Sequence, residues 1–267
     1  MKSSSGLKNK KLILTGASGM LGEHYIEVLL NLGVFVIAVD INHKKLLKIA
    51  KKVNNKYSSG KIIIKKSDVS NKNNVKKLFS EIKKKYGPVD ILINNAAYSQ
   101  TEHINKGNVQ SFETFSEKIW NKTIEVNLNG AFYCCQEAGK QMIKNGKGVI
   151  LNIASVYGMV AADQKIYGKS GLNSNVAYAV TKAGLINMSR YLAAYWQGKN
   201  IRVNSLSPGG VYNNQDKEFV KNYKNKTMLK RMATPKDLSS AMVYLISNDS
   251  NFVTGSNLVV DGGWTAW

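Results

Sequence analysis

Short apolar runs alternate with amphipathic segments along the chain. The run at residues 34–39 is continuous and ends at Asp40, which is typical of a strand buried on both faces. The segment 20–32 before it carries its apolar residues at helical spacing. Along the whole chain, the pattern of apolar positions predicts strands at 12–15, 34–39, 62–64, 91–93, 149–153, 201–206 and 258–260. It predicts helices at 20–32, 44–53, 75–86, 176–196 and 235–247, a long helical region at 115–144 and a partly helical stretch at 214–232.

This alternation predicts an α/β fold of the Rossmann type, a doubly wound parallel sheet with helices on both faces. No linker, repeat or change of composition divides the 267 residues, so we expect a single domain over 1–267. The hydrophobic share of 43% agrees with a sizeable core and excludes a disordered chain.

The charge of the chain bears on its partners. An excess of 38 basic over 17 acidic residues gives a net charge of +21, which first suggests a nucleic acid. However, only three of the basic residues are arginines, and the lysines are scattered along polar faces. We therefore expect no nucleic-acid partner, but a general attraction for anionic small molecules.

The cysteines and the apolar runs bear on the environment of the protein. The two cysteines are adjacent, which suits neither a disulfide scaffold nor a zinc site, and we expect no metal. No apolar run reaches the roughly 20 residues of a membrane span, so we expect a cytoplasmic protein with no membrane partner.

A glycine-rich turn joins the first predicted strand to the first predicted helix. Such a turn lets the backbone approach a pyrophosphate, and the helix amino terminus offers free N–H groups and a positive dipole end. Asp40 lies 18 residues after Gly22, where a carboxylate binds ribose hydroxyls and repels a 2′-phosphate. We therefore expect NAD rather than NADP. The residues expected at the pyrophosphate are Gly16, Ser18, Gly19, Met20, Leu21 and Gly22.

Beyond this turn the sequence resembles the short-chain dehydrogenase/reductase family over nearly its whole length. The resemblance rests on several motifs in the right order. Besides the glycine turn they are Asp68-Val69, Asn94-Asn95-Ala96-Ala97, Asn127, Asn152-Ile153-Ala154-Ser155, Tyr178-Ala179-Val180-Thr181-Lys182, Pro208-Gly209 and Val260-Asp261-Gly262-Gly263. The resemblance implies a nicotinamide-dependent oxidoreductase that interconverts a secondary alcohol and a ketone.

The catalytic candidates are Ser155, Tyr178 and Lys182. The Tyr-x-x-x-Lys spacing is weak alone, since Tyr195 and Lys199 also have it. Tyr178, however, lies near the start of a helix that follows the Ser155 strand. Residues four apart share a helix face, and a lysine cation favours the phenolate of a nearby tyrosine. Tyr178 would then exchange a proton with the substrate alcohol, while Ser155 would hold its oxygen.

The family resemblance implies further roles. Tyr178 and Lys182 would also contact the cofactor, and Asn127 would anchor a water that links Lys182 to solvent. The implied partner is a small-molecule substrate. The implied assembly is a homotetramer, or a homodimer, built on apolar surface that we assign to residues 191–196 and 264–267. The other implied cofactor contacts are Asp68 and Val69 with adenine, Asn95 and Ala96 with the adenosine ribose, and Pro208, Gly209 and Val211 with nicotinamide.

The sequence departs from the family between the catalytic serine and tyrosine, which are 23 positions apart. The additional loop is polar and must border the substrate, as should the stretch 98–110. We expect a sugar, polyol or activated sugar, whose phosphate would suit Lys165 or Lys169. The alternative is a loop used in subunit packing. The residues expected at the substrate are Tyr98, Gln164, Lys165 and Tyr167.

Two other functions stay open beside the NAD-dependent dehydrogenase. A 3-oxoacyl-carrier-protein-type reductase would prefer NADPH, which Asp40 disfavours. A non-catalytic NAD(H)-responsive regulator typically lacks the tyrosine or the lysine, and this chain has both Tyr178 and Lys182.

Overall fold

The computed structural model describes residues 6–54, 56–57, 59–98, 111–170 and 173–267. Its strands are β1 (Lys11–Thr15), β2 (Phe35–Asp40), β3 (Lys61–Lys66), β4 (Ile91–Asn94), β5 (Gly148–Ile153), β6 (Ile201–Pro208) and β7 (Asn257–Val260). They form one sheet in the order β3-β2-β1-β4-β5-β6-β7, and every neighbouring pair is parallel. The predicted α/β fold with a doubly wound sheet is confirmed. The strand order reverses between β1 and β4, which in such sheets is where ligands bind.

Helices cover both faces of the sheet. They are α1 (Met20–Asn31), α2 (His43–Asn54), α3 (Lys72–Tyr86), α4 (Glu117–Ile124), α5 (Gly130–Asn145), α6 (Val176–Tyr195), α7 (Lys217–Lys226) and α8 (Pro235–Ile246). Leu12 and Leu14 point into the core beneath α1 and α8, while Ile13 points into the core beneath α3 and α5. This alternation explains the continuous apolar runs, because both faces of each central strand are buried.

The long helical region predicted at 115–144 is present but is not one regular helix. It divides into α4, a π-helical segment Glu125–Asn129 and α5. Short π-helical segments often mark functional sites, because the extra residue in the turn reorients a side chain. The amphipathic pattern does not reveal this extra residue.

The expected apolar surface at 191–196 and 264–267 is only partly exposed. Trp196 packs against Gly139 of α5 and Trp264 against α7, and each is 7% exposed, so our assignment of both indoles to the surface was wrong. Tyr191 and Tyr195 are exposed and stack on each other at 5.9 Å between ring centroids. Within the described residues, no helix is long and apolar enough to cross a bilayer.

The buried side chain of Arg202 joins the sheet to the end of α8. Its guanidinium donates to the carbonyl oxygens of Leu245, Ser247 and Val253 at 3.0, 2.9 and 3.2 Å. Carbonyl groups at a helix end have no partner within the helix, and a buried carbonyl without a partner is costly. Arg202 therefore satisfies three acceptors at once.

We predict that Arg202→Met lowers the free energy of unfolding by about 2–4 kcal/mol, because three carbonyl groups lose their donor. Urea denaturation measures this change. The matched control is Arg190→Met on the exposed face of α6, for which we expect a change below about 0.5 kcal/mol. Equal effects of the two substitutions would contradict the assignment.

Candidate active site

The turn between β1 and α1 lies against the end of β4. Gly16 has a φ of +62°, and a Cβ there would stand 2.6 Å from the Cα of Ala96. A Cβ on Gly22 would stand 2.3 Å from the carbonyl oxygen of Gly16. Both positions need glycine because the backbones approach so closely. Gly19, in contrast, is the exposed residue before α1, and it caps the helix without a side chain.

Asn95 holds this turn from the neighbouring strand end. Its side-chain amide donates to the carbonyl oxygens of Thr15 and Gly16 at 3.1 and 3.0 Å. The Thr15 hydroxyl in return accepts from the backbone N–H groups of Asn95 and Ala96, both at 3.1 Å. Asn95 therefore shapes the turn, a role that the sequence did not reveal for it or for Thr15.

Asp40 connects the end of β2 to the same turn. Its carboxylate accepts hydrogen bonds from the backbone N–H groups of Ser18 and Asn42, both at 2.9 Å. Beside it, a cavity of about 540 Å³ is lined by residues that include Ile41 and Asp68. Ile41 is 64% exposed, and the sequence did not indicate it as a residue of this cavity. Val69, next to Asp68, is buried against Gly130.

These features fit a nicotinamide dinucleotide. In the described residues no side chain caps the first turn of α1, so the N–H groups of Met20, Leu21 and Gly22 suit a pyrophosphate. The absent Cβ of Gly19 leaves the helix end open to it. Asp40 offers carboxylate oxygens of the kind that bind ribose hydroxyls.

The three catalytic candidates meet where β5 ends and α6 begins. Ser155 follows β5, its Oγ accepts from the backbone N–H of Tyr157 at 3.2 Å, and it lines one cavity together with Tyr178. The Nζ of Lys182 donates to the carbonyl oxygen of Ile153 at 2.6 Å and lies 5.4 Å from the centroid of the Tyr178 ring. Asn175 caps α6 by accepting from the N–H of Tyr178 at 3.2 Å. The predicted residues are therefore brought together.

Burial changes the proton affinities of this group. It lowers the pKa of Lys182 to about 8, and it raises the pKa of Tyr178, an effect that the neighbouring Ser155 hydroxyl opposes. In contrast, Tyr195 of the other Tyr-x-x-x-Lys pair is 69% exposed. The surroundings, not the spacing, distinguish the two pairs.

Asn127 lies in the π-helical segment and is buried. Its Oδ1 accepts from the N–H of Tyr98 at 2.6 Å, and its Nδ2 donates to the Tyr98 carbonyl oxygen and to the Thr181 hydroxyl, both at 3.3 Å. Asn127 therefore joins the chain beyond β4 to the helix that carries Tyr178. A second amide chain runs from Asn94 through Asn152 to the Ser189 hydroxyl, each step 2.8 Å long.

The catalytic group opens onto a cavity of about 340 Å³. Lys182 is the only charged residue among those described that line it. Aromatic rings and amides form much of the remaining wall. The lining residues outside the catalytic group include Met20, Leu21, Asn95, Tyr157, Tyr167, Pro208, Gly209, Gly210, Val211, Asn213, Gln215, Phe219 and Tyr223.

Three parts of the chain pack together beside this cavity: residues 163–169, helix α7 and residues 261–267. We call them the cap. Tyr167 packs on Phe219 at 5.1 Å between ring centroids, and Lys226 forms an ion pair with Asp163. The Trp267 indole donates to the carbonyl oxygen of Lys226 at 3.1 Å. The aromatic wall was missed, although the spacing of Phe219 and Tyr223 by four residues indicates one helix face.

The four expected substrate residues lie in different surroundings. Tyr167 lines the cavity. Gln164 and Lys165 are exposed and do not line it, and the Gln164 side chain accepts from the N–H of Ser174 at 2.8 Å. Tyr98 is held by Asn127 through its backbone. The rest of the expected loop, 99–110, lies outside the described residues.

Comparisons with known proteins agree with this geometry. Residues 16–265 match the family model described as enoyl-(acyl carrier protein) reductase. An NAD-dependent glycerol dehydrogenase of Listeria innocua is 30% identical over 97% of this chain and 95% of its own length. A 3-oxoacyl-[acyl-carrier-protein] reductase of Buchnera aphidicola is 33% identical over 95% of this chain and 96% of its own length.

Comparison with solved structures also finds dehydrogenases of similar fold. A short-chain dehydrogenase of Leptospira borgpetersenii with bound NAD+ is 36% identical, with a TM-score of 0.83 over 99% of this chain and 96% of its own. A gluconate 5-dehydrogenase of Burkholderia cenocepacia in complex with NADP and tartrate is 25% identical, with a TM-score of 0.84 over 98% and 97%. The chain belongs to the short-chain dehydrogenase/reductase family. It is an oxidoreductase that acts on CH–OH groups with a nicotinamide dinucleotide.

We predict that Gly16→Ala raises the Kd for NADH at least about tenfold, because the new Cβ must displace the Ala96 backbone. NADH fluorescence measures the binding. Gly146→Ala is the matched control, since Gly146 has a φ of +70° but no atom within 4 Å of its virtual Cβ. It should cost about 1 kcal/mol of stability and leave NADH binding unchanged. Loss of NADH binding in both variants would mean that strain, not close approach, matters.

Proposed function

We propose that the protein oxidises a secondary alcohol of a neutral polyol or sugar to the ketone and catalyses the reverse reduction, with NAD preferred. One observation carries the proposal: Ser155, Tyr178 and Lys182 meet at a cavity with no other charged lining residue in the described chain. The only cation in this wall is Lys182, whose proposed role is to stabilise the Tyr178 phenolate. A phosphate or carboxylate on the substrate would therefore find no other cation among the described lining residues. Lys165 and Lys169, once expected to meet a phosphate, are exposed and outside this wall.

The proposed mechanism assigns one task to each side chain. Bound NAD supplies the oxidised ring that accepts a hydride from the alcohol carbon. Tyr178, as phenolate, takes the hydroxyl proton of the substrate at its Oη, and the Lys182 ammonium stabilises that phenolate. Ser155 donates a hydrogen bond to the substrate oxygen and so stabilises the charge that develops on it.

Burial explains why Tyr178 needs these neighbours. Desolvation alone raises its pKa, which disfavours the phenolate that the oxidation requires. The neighbouring Ser155 hydroxyl opposes this shift, and a protonated Lys182 adds an attraction. A water anchored by Asn127 would link Lys182 to solvent and pass the proton to bulk water.

The preference for NAD rests on Asp40. Its carboxylate is held at the turn by the Ser18 N–H, close to where the adenosine ribose of a dinucleotide bound to α1 belongs. A 2′-phosphate would meet this fixed negative charge. The relative from Listeria innocua is named NAD-dependent, which agrees with the proposal.

We also propose a homotetramer or homodimer. The stacked rings of Tyr191 and Tyr195 on α6 and the Phe132 ring on α5 are exposed at 66%, 69% and 44%. Exposed aromatic side chains that adjoin one another on helix faces are typical of protein interfaces.

We predict that Tyr178→Phe lowers turnover about 10³-fold while NADH still binds, because the proton acceptor is lost and the cofactor contacts on α1 remain. The matched control is Tyr195→Phe, from the exposed Tyr-x-x-x-Lys pair, which should keep full activity. Nicotinamide absorbance is followed with three panels: neutral polyols and sugars, phosphorylated sugars, and 3-oxoacyl thioesters.

Each panel tests a different function. Turnover of neutral polyols that disappears in Tyr178→Phe supports the proposal. Preferred turnover of 3-oxoacyl thioesters would instead assign the chain to the reductases named among its relatives. NADH binding without turnover in any panel would favour the regulator.

We predict that Asp40→Asn lowers the ratio of the Kd for NADPH to the Kd for NADH at least about tenfold, because a charge next to the 2′-phosphate is removed. The amide keeps an oxygen that can accept from Ser18. Asp68→Asn is the control, since that carboxylate holds Ser70 and is expected at the adenine. An unchanged ratio in Asp40→Asn would refute the role given to this residue.

A further inference from the structure

Tyr223 lies at the centre of the cap. It is 2% exposed, and its ring stacks on Trp264 with 4.3 Å between centroids and 14° between planes. Phe219, one turn earlier on α7, packs on it at 5.9 Å. Stacked aromatic rings fix each other more firmly than aliphatic contacts of equal area. Tyr223 is therefore the point at which α7 meets the C-terminal residues.

The hydroxyl of Tyr223 leaves the aromatic cluster and meets the cavity wall. It accepts a hydrogen bond from the backbone N–H of Gly210. A Cβ on Gly210 would stand 2.7 Å from Cε2 and Cζ of the Tyr223 ring, so the close contact requires glycine at this position. Gly210 belongs to the segment 208–211, which lines the cavity together with Ser155 and Tyr178.

The segment 208–211 has other attachments beside Tyr223. Pro208 pairs with Val260 of β7, and the Val211 carbonyl oxygen accepts from the Gln215 amide at 2.9 Å. The N–H of Gly209 donates to the carbonyl oxygen of Val260 at 2.9 Å, and the carbonyl oxygen of Gly210 accepts from the N–H of Ala233 at 2.9 Å. Within the described residues, Tyr223 supplies the only side-chain partner of the Gly210 N–H. Burial raises the pKa of Tyr223 to about 12, so its hydroxyl keeps its proton near neutral pH.

We propose that Tyr223 is a positioning residue, whose hydrogen bond to Gly210 couples the cap to the cavity wall and fixes the wall against the reacting groups. This role rests on the proposed dehydrogenase function. It differs from that of Tyr178, because Tyr223 acts through the backbone of segment 208–211. The cap thereby becomes part of the catalytic geometry, and Trp264 contributes through its stacking on Tyr223.

The test is Tyr223→Phe, which keeps the stacked ring and removes only the acceptor oxygen. We expect kcat for the polyol to fall on the order of tenfold, because the reacting groups lose their orientation. The Kd for NADH should change less than about threefold, because the glycine turn and Asp40 are untouched. Amide hydrogen exchange in the peptide 208–212 should be at least about tenfold faster.

Tyr25→Phe is the matched control. Tyr25 is fully buried in the core beneath α1, and its hydroxyl has no hydrogen-bond partner among the described residues. Its loss should leave kcat and the exchange of peptide 208–212 unchanged. Trp264→Leu is a second variant, which should accelerate the same exchange by releasing the Tyr223 ring.

The outcomes separate this inference from the proposed function. If Tyr223→Phe has the same kcat and the same amide exchange at 208–212 as the wild-type protein, the proposed coupling is wrong. The dehydrogenase function would still be supported by the turnover of the wild-type protein. A loss of stability with unchanged exchange at 208–212 and unchanged kcat per active site would also overturn it. Absence of turnover in the wild-type protein would refute the proposed function, and the exchange experiment would still decide whether Tyr223 holds Gly210.

Discussion

Lys182 carries its ammonium group into the interior, where Nζ donates to the Ile153 carbonyl oxygen at 2.6 Å. Burying a cation is costly unless its hydrogen bonds are satisfied, and burial has already lowered its pKa to about 8. The end of β5 must therefore present a free carbonyl at this point, and α6 must pass directly over it. Gly158 permits that approach, since a Cβ there would stand 2.6 Å from the Lys182 backbone.

The same constraint extends to the cofactor side of the sheet. The amide chain from Asn94 through Asn152 to Ser189 joins β4, β5 and α6, so that α6 is fixed relative to β4. Asn95, which follows β4, then sets the turn that carries Gly16. A displacement of the catalytic helix would therefore strain the dinucleotide site, because buried amides tolerate few alternative partners.

The sequence predicted the sheet and the proximity of Ser155, Tyr178 and Lys182 because the signals for both are local or repeated. Strands buried on both faces read as continuous apolar runs, and the run ending at Asp40 is strand β2 of the structure. The position of Tyr178 near the start of a helix that follows the Ser155 strand distinguishes it from Tyr195 in the sequence alone.

What the sequence did not predict depends on contacts between distant segments. The loop before Tyr178 is polar, and this favoured direct contact with the substrate for Gln164 and Lys165. In the structure these side chains are exposed, while Tyr167 and Ile166 of the same loop pack inward. The packing of α7 against Ile166 and Tyr167 decides which side of this loop is buried, and the sequence of the loop does not contain that information. Trp264 was assigned to the surface for the same reason, since its partner Tyr223 lies 41 positions earlier.

The distribution of charge separates the attraction of the anionic cofactor from the selection of the substrate. The net charge of +21 comes from an excess of lysines, and most of the described lysines are exposed. Among the described residues that line the cavity, Lys182 alone is charged. A field from exposed charges acts over roughly 10 Å in physiological salt, so it raises the local concentration of an anionic dinucleotide without selecting among substrates. Selection falls to the aromatic and amide groups under the cap, which discriminate by shape and hydrogen bonding. A neutral polyol meets these groups without desolvating a charge, and for that reason the lysine-rich surface and an uncharged substrate are compatible in one protein.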